Sequence, residues 1–199
     1  NGDFSVVFQL PADALAGSFK VQVRAYQTNE DETTNEGNAE DFIKINQVMK
    51  EIEIALGAES VKPENKIGYS ILAYDQSKNN MVADASVSLF NPSGEEIEKK
   101  LVKTGESAEF SVKINYVPGI WQVYAKVDSL ESKKKFVVEE LKKVSFSLGD
   151  RMLSVTIVGN VVFSGPVEIS IGGINEIKEL KNLQVGDSKQ FKLIAPDGE

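Results

Sequence analysis

A chain of 199 residues, 41% apolar and 26% charged, is long enough for one or two domains that each bury a core. Its net charge of −8 argues against a phosphate-backbone partner, so no nucleic acid is expected. Having neither histidine nor cysteine, it cannot run Ser-His-Asp or Cys-His catalysis, nor build a thiolate or imidazole metal site.

In chain order, short runs alternate apolar and polar residues, and each predicts a strand with one buried face. The series opens with FSVVFQL (4–10), FKVQVRAY (19–26), FIKINQV (42–48) and EIEIAL (51–56). It continues through IGYSILAY (67–74), ASVSLF (85–90), AEFSVKI (108–114), WQVYAKV (121–127) and KKFVVEE (134–140). VSFSL (144–148), LSVTIV (153–158), VEISIGG (167–173) and KQFKLIA (189–195) complete it. QVMKEIEIAL (47–56) also suits one amphipathic helical turn, but its Ile-x-Ile alternation favours strand.

Between the runs lie Pro11, Asn29, Gly37, Pro63, Asn79-Asn80, NPSG (91–94), Pro118-Gly119, Gly165-Pro166 and PDG (196–198). Strands about 8–12 residues apart with such turns indicate an all-β fold, an antiparallel sandwich. No apolar run approaches the ~18–20 residues that cross a bilayer. No charged and apolar leader opens the chain, so any export signal or anchor is expected outside it.

The chain also repeats itself. FSVVFQLPADALAGSFKVQVRA from Phe4 resembles FSVKINYVPGIWQVYAK from Phe110, with Phe19 in the place of Trp121. FKLIAPDGE from Phe191 echoes the strand and the Pro-x-Gly turn. The repeat divides the chain into closing strands of one unit (1–48), a complete unit (49–141) and opening strands of a third (142–199). The short charged connection from Glu139 to Val144 predicts a stiff joint. Each end fragment exposes half a core, and together they amount to about one repeat. Either the missing strands lie elsewhere in a longer protein, or one copy completes another. Trp121, alternating with Val123 and Ala125, is expected to plug the core. Its counterpart Phe19 has no indole N–H, so the position is read as needing volume rather than a hydrogen bond.

NPSGEEIEKKLVKTGESAEFSVKINYVPGIWQVYAKV resembles the immunoglobulin-like and macroglobulin-like sandwiches of prokaryotic secreted proteins, with an N-P-x-G hairpin and a late G-x-W-x-V strand. LSVTIVGNVVFSGPVEISIGG with LQVGDSKQFKLIAPDGE is similar to the CARDB-like adhesion modules of archaeal surface proteins. With the repeat, the resemblance implies tandem immunoglobulin-like antiparallel sandwiches, one complete unit flanked by two partial ones, in an extracellular or cell-envelope setting with a structural, adhesive or spacer role. Macroglobulins carry a thioester, and the cysteine it requires is absent here.

The acidic stretch NEDETTNEGNAED (29–41) is read as a loop in which Asn29, Asp31, Glu36, Glu40 and Asp41 are calcium candidates. Thr34 stands where an EF-hand needs glycine, so a solvated loop is the simpler expectation and no cofactor is assigned. Lys133-Lys134-Lys135 reads as solvated strand-edge charge, and GGIN (172–175) as a turn. Asp75 and Asp84 flank a hairpin too mobile to hold a general acid/base pair. The functional expectation is a non-catalytic module, a stalk, adhesion or assembly segment, whose partners are other protein modules or copies of itself. The alternative is an accessory sandwich of a secreted enzyme or transport protein.

Overall fold

Residues 5–193 are described by a computed structural model, and every regular element among them is a strand. Strands β1 (Gly17–Thr28) and β2 (Thr34–Ile45) form an antiparallel hairpin that pairs with no other described strand. The chain then builds β3 (Met49–Leu56), β4 (Ser60–Val61), β5 (Lys66–Asp75), β6 (Asp84–Phe90), β7 (Glu96–Lys103) and β8 (Ser107–Ser111). A second hairpin, β9 (Gly119–Val127) with β10 (Leu130–Val138), follows.

Sheet β3-β5-β8 packs against sheet β4-β10-β9-β6-β7, with one parallel contact, β4 on β10, in an otherwise antiparallel sandwich. The sequence dictates this through its period of two. In β5, Ile67, Tyr69, Ile71 and Ala73 all face inward, and the alternating residues do not. Ile54, Ile71, Val87, Leu89, Phe110, Trp121 and Phe136 fill the space between the sheets.

A smaller sandwich comprises β11 (Val144–Gly149), β12 (Met152–Ile157), β13 (Phe163–Ile171), β14 (Ile174–Leu183) and β15 (Ser188–Lys192). Its order β11-β12-β15 reproduces β3-β5-β8, and its pair β13-β14 reproduces β6-β7. The same glycine turn recurs before the last strand. Gly105 (φ 87°) donates to the Ile71 carbonyl at 2.8 Å, and Gly186 (φ 88°) to the Ile157 carbonyl at 2.9 Å. The core here is slighter: Val155, Val167, Ile169 and Leu180, with Phe163 and Phe191 only partly covered.

Hairpin β1-β2 is the structural equivalent of β9-β10. Gly17 pairs with Ile45 and Phe19 with Ile43, as Gly119 pairs with Val138 and Trp121 with Phe136. The preceding turns also match, Ala14 N–H to Pro11 and Tyr116 N–H to Lys113, both at 3.1 Å. In this register Phe8, not Phe4, corresponds to Phe110; Phe4 lies outside the described residues, as does the 196–198 turn.

Several expectations need correction. Residues 5–10 form no strand, and Val7 is 93% exposed; no described strand pairs with that alternating run. Residues 34–41 are not loop but β2, carried into the ladder by pairing with β1. Strands β7 and β14 were not signalled: EIEKKLVK is mostly charged, and the apolar residues Ile174, Ile177, Leu180 and Leu183 of β14 stand three apart, a helix-like spacing. Trp121 is 1% exposed, but it is more than volume: its indole N–H donates to the Val117 carbonyl at 2.9 Å and its ring stacks on Tyr116. Phe19, its counterpart, is 38% exposed, with no second sheet over it among the described residues.

Candidate functional site

The most organised polar chemistry lies at the two joints, residues 46–48 between β2 and β3 and residues 139–143 between β10 and β11. Both use one primary amide in the same way. Asn160 follows β12 and is 6% exposed. Its Nδ2 donates to the carbonyls of Tyr116 at 3.0 Å and Glu139 at 2.9 Å, while its Oδ1 accepts the Leu141 N–H at 2.6 Å. Gln76 follows β5. Its Nε2 donates to the carbonyls of Ala14 and Asn46, each at 3.1 Å, and its Oε1 accepts the Val48 N–H at 2.8 Å.

The partners correspond one for one. Ala14 and Tyr116 close the matching turns, and Asn46 and Glu139 follow the paired residues Ile45 and Val138. An amide carries two donors and an acceptor on one rigid plane, so it alone among short neutral side chains serves two carbonyls and one N–H together. A carboxylate has no donor for the carbonyls. Each amide therefore ties the last hairpin of one unit, and the linker leaving it, to the first sheet of the next.

The surroundings differ in a way that fits the side-chain lengths. Asparagine is one methylene shorter, and at the second joint the backbones come closer. Val158 and Gly159 donate to the Lys143 carbonyl at 2.9 and 3.0 Å, and Asn160 N–H donates to Leu141 at 3.0 Å. A Cβ on Gly159 would lie 1.9 Å from the Leu141 oxygen, so only glycine permits this approach. The Lys143 ammonium also reaches Glu64 of the larger sandwich at 2.8 Å.

At the first joint, Ser77 Oγ adds bonds to the carbonyls of Asp13 and Ala14 at 3.0 and 2.9 Å. Asp75, 1% exposed, accepts N–H groups of Ser77 at 2.8 Å and Asn79 at 2.9 Å and the Gln47 amide at 3.1 Å. Burial pushes its carboxyl up, but the Asn79, Gln47 and Ser77 hydrogen bonds outweigh it and hold the group below the usual carboxylate range. The segment read as a mobile hairpin is thus an ordered anchor of the joint.

The calcium candidates are not brought together. Asn29 and Asp31 sit in the β1-β2 turn, bonded to Thr33, whose hydroxyl and N–H hold the Asp31 carboxyl below its usual range. Glu36 pairs with Arg24 at 2.5 Å and Glu40 with Lys20 at 2.7 Å on one face of the hairpin. Asp41, opposite Val21, is on the other face. Among the described residues no three acidic groups gather around one point. Asp84 pairs with exposed Lys103, away from the buried Asp75. Lys133 lies 5.5 Å over the Tyr124 ring, and Gly172-Gly173 form the two-residue turn of β13-β14.

The sequence alone gives neither Asn160 nor Gln76 a role. The signal was an amide directly after an alternating strand, and it is weak, since asparagine there reads as an ordinary turn residue.

No family model matches the chain, and no curated protein matches it. Among solved structures, it is similar to domains 4 and 5 of the S-layer protein SbsC, at 19% identity and TM-score 0.34, covering 62% of this chain and 58% of that one. It is also similar to SbsC domains 1–6 (19%, TM-score 0.36, 83% and 25%) and domains 4–9 (16%, TM-score 0.35, 92% and 36%). The chain thus spans 58% or less of each of these structures. No described helix is long and apolar enough to cross a membrane.

Proposed function

We propose that this chain is a non-catalytic spacer, a modular segment of an extracellular or cell-envelope protein that holds sandwich units in fixed series. The observation that carries the reading is the amide clamp made twice, by Gln76 and Asn160, on the same three backbone groups. A flexible linker needs no such device. Inter-domain motion is the default for units joined by a short connection, so a repeated, internally satisfied bond set at successive joints marks rigidity as the property the chain maintains. Units 1–48, 49–141 and 142–199 are the modules, and their partners are other protein modules. The resemblance to secreted and surface sandwiches and the S-layer neighbours accord with a structural role at the cell surface.

Spin labels on the exposed residues Lys99 and Glu168, one in each sandwich, test this by double electron resonance. A narrow distance distribution is expected for the parent chain, broadened in Asn160→Ala. A broad distribution in the parent chain would sink the spacer reading.

A further inference from the structure

We propose that the larger sandwich bears tension along the chain. Its entering and leaving segments grip each other in parallel, so a pull from one to the other shears whole hydrogen-bond ladders instead of opening them bond by bond. This goes beyond the spacer reading and does not rest on it, since it concerns the sandwich itself and not its joints.

The contact of β4 with β10 motivates it, the only parallel pairing among the described strands. Had these two segments paired antiparallel, the chain would enter and leave at one pole, and tension would peel them apart from that end. Parallel pairing separates the two points. β5 shows where they lie. Gln76, directly after it, holds Asn46 and Val48 at the entry, and Glu64, two residues before it, pairs with Lys143 at the exit. The length of a ten-residue strand, about 30 Å, therefore lies between them. A pull from entry to exit runs along the strands.

Both sheets resist that pull. β3 would have to slide along β5, against a register that runs from Glu51 opposite Tyr74 to Leu56 opposite Tyr69. Loss of β3 alone still leaves β4 holding β10, and β10 would have to slide along both β4 and β9. The Val137 N–H donates to the Glu59 carbonyl at 2.9 Å and the Glu139 N–H to the Val61 carbonyl at 3.0 Å. Ser60 Oγ donates to the Glu139 carboxylate at 2.8 Å. Such bonds cross between strands instead of running along them, so sliding strains all of them together. The core adds a second lock. A slip of one residue turns every side chain of a strand to the opposite face, and Ile54, Val61, Phe136 and Val138 on these strands are all buried.

The chain has no cysteine, so pairs of introduced thiols at exposed positions set the direction of pull in single-molecule force measurements on the full chain. Val48→Cys with Glu140→Cys loads the larger sandwich from entry to exit. Val82→Cys with Glu106→Cys peels the edge strand β7 from β6, starting at the pair Asp84 and Lys103. Forced unfolding reads the barrier in the direction pulled, and the opening force should be several-fold higher from entry to exit. Val137→Pro and Glu139→Pro each remove one N–H directed to the segment 59–61. Each should lower the entry-to-exit force and leave the peeling force unchanged, in chains whose Trp121 emission shows a buried ring. Equal forces in the two directions overturn the proposal, whether or not those variants fold. So does an entry-to-exit force that neither substitution moves in a folded chain. Broad spin-label distances across the second joint, by contrast, sink the spacer reading alone.

Discussion

Trp121 shows how far single residues are legible. Alternation with Val123 and Ala125 placed it in the core, and packing follows from that pattern alone. The hydrogen bond to Val117 depends on the turn at Pro118-Gly119 folding back under the ring, which no spacing announces. Trp121→Ala should cost about 3–5 kcal/mol. Trp121→Phe should cost about 1–2 kcal/mol, because it leaves the Val117 carbonyl unpaired. Urea unfolding followed by far-ultraviolet circular dichroism measures both, and equal stability of the Phe variant and the parent would show that volume alone matters. Tyr69 is the opposite case. Its ring stacks on Phe110 at 4.8 Å, but its buried hydroxyl has no hydrogen-bond partner. Burial, aided by Glu98, pushes its pKa up to about 12. A group held protonated in the fold contributes stability below its unfolded value near ~10 and loses it as pH rises toward the folded one. Tyr69→Phe should therefore stabilise the chain by about 1 kcal/mol at neutral pH and remove the alkaline loss. A destabilised Tyr69→Phe would mean that the hydroxyl is satisfied after all.

At the scale of elements, strands buried on one full face were readable, and strands at the sheet margins were not. β5 and β9 alternate cleanly because every second residue meets the opposite sheet. β7 and β14 lie at sheet edges, where few positions are forced to be apolar, so charge and odd spacing went unpunished. β2 was hidden for another reason: its acidic residues are matched across the hairpin by Lys20 and Arg24, a cross-strand pairing invisible to a one-strand reading. The joints were legible only as short connections. Gly159→Ala tests their construction. Its new Cβ would meet backbone, not a side chain that can swing away, so a cost of about 1–3 kcal/mol is expected. Hydrogen exchange of the β11 and β12 amides should accelerate in that variant, and unchanged protection would mean that the linker has room to move.

For the whole molecule, the joints set how the chain responds to its surroundings. The first depends on Asp75 as an anion. Its folded pKa is depressed, so its contribution is present above the ordinary carboxylate value near ~4 and lost as pH falls through the folded one. Melting temperature should therefore drop on acidification below about pH 4 more steeply in the parent chain than in Asp75→Asn; parallel curves would refute the role given to Asp75. The amide clamp of the second joint, by contrast, is built of neutral groups only. The two clamps also have a geometric consequence. The same three backbone groups are held at each boundary, but by side chains of different length, so each joint specifies its own rotation and translation from one unit to the next. The course of the chain is then a succession of two distinct turns, each written into where an amide side chain, Gln76 or Asn160, finds its carbonyls.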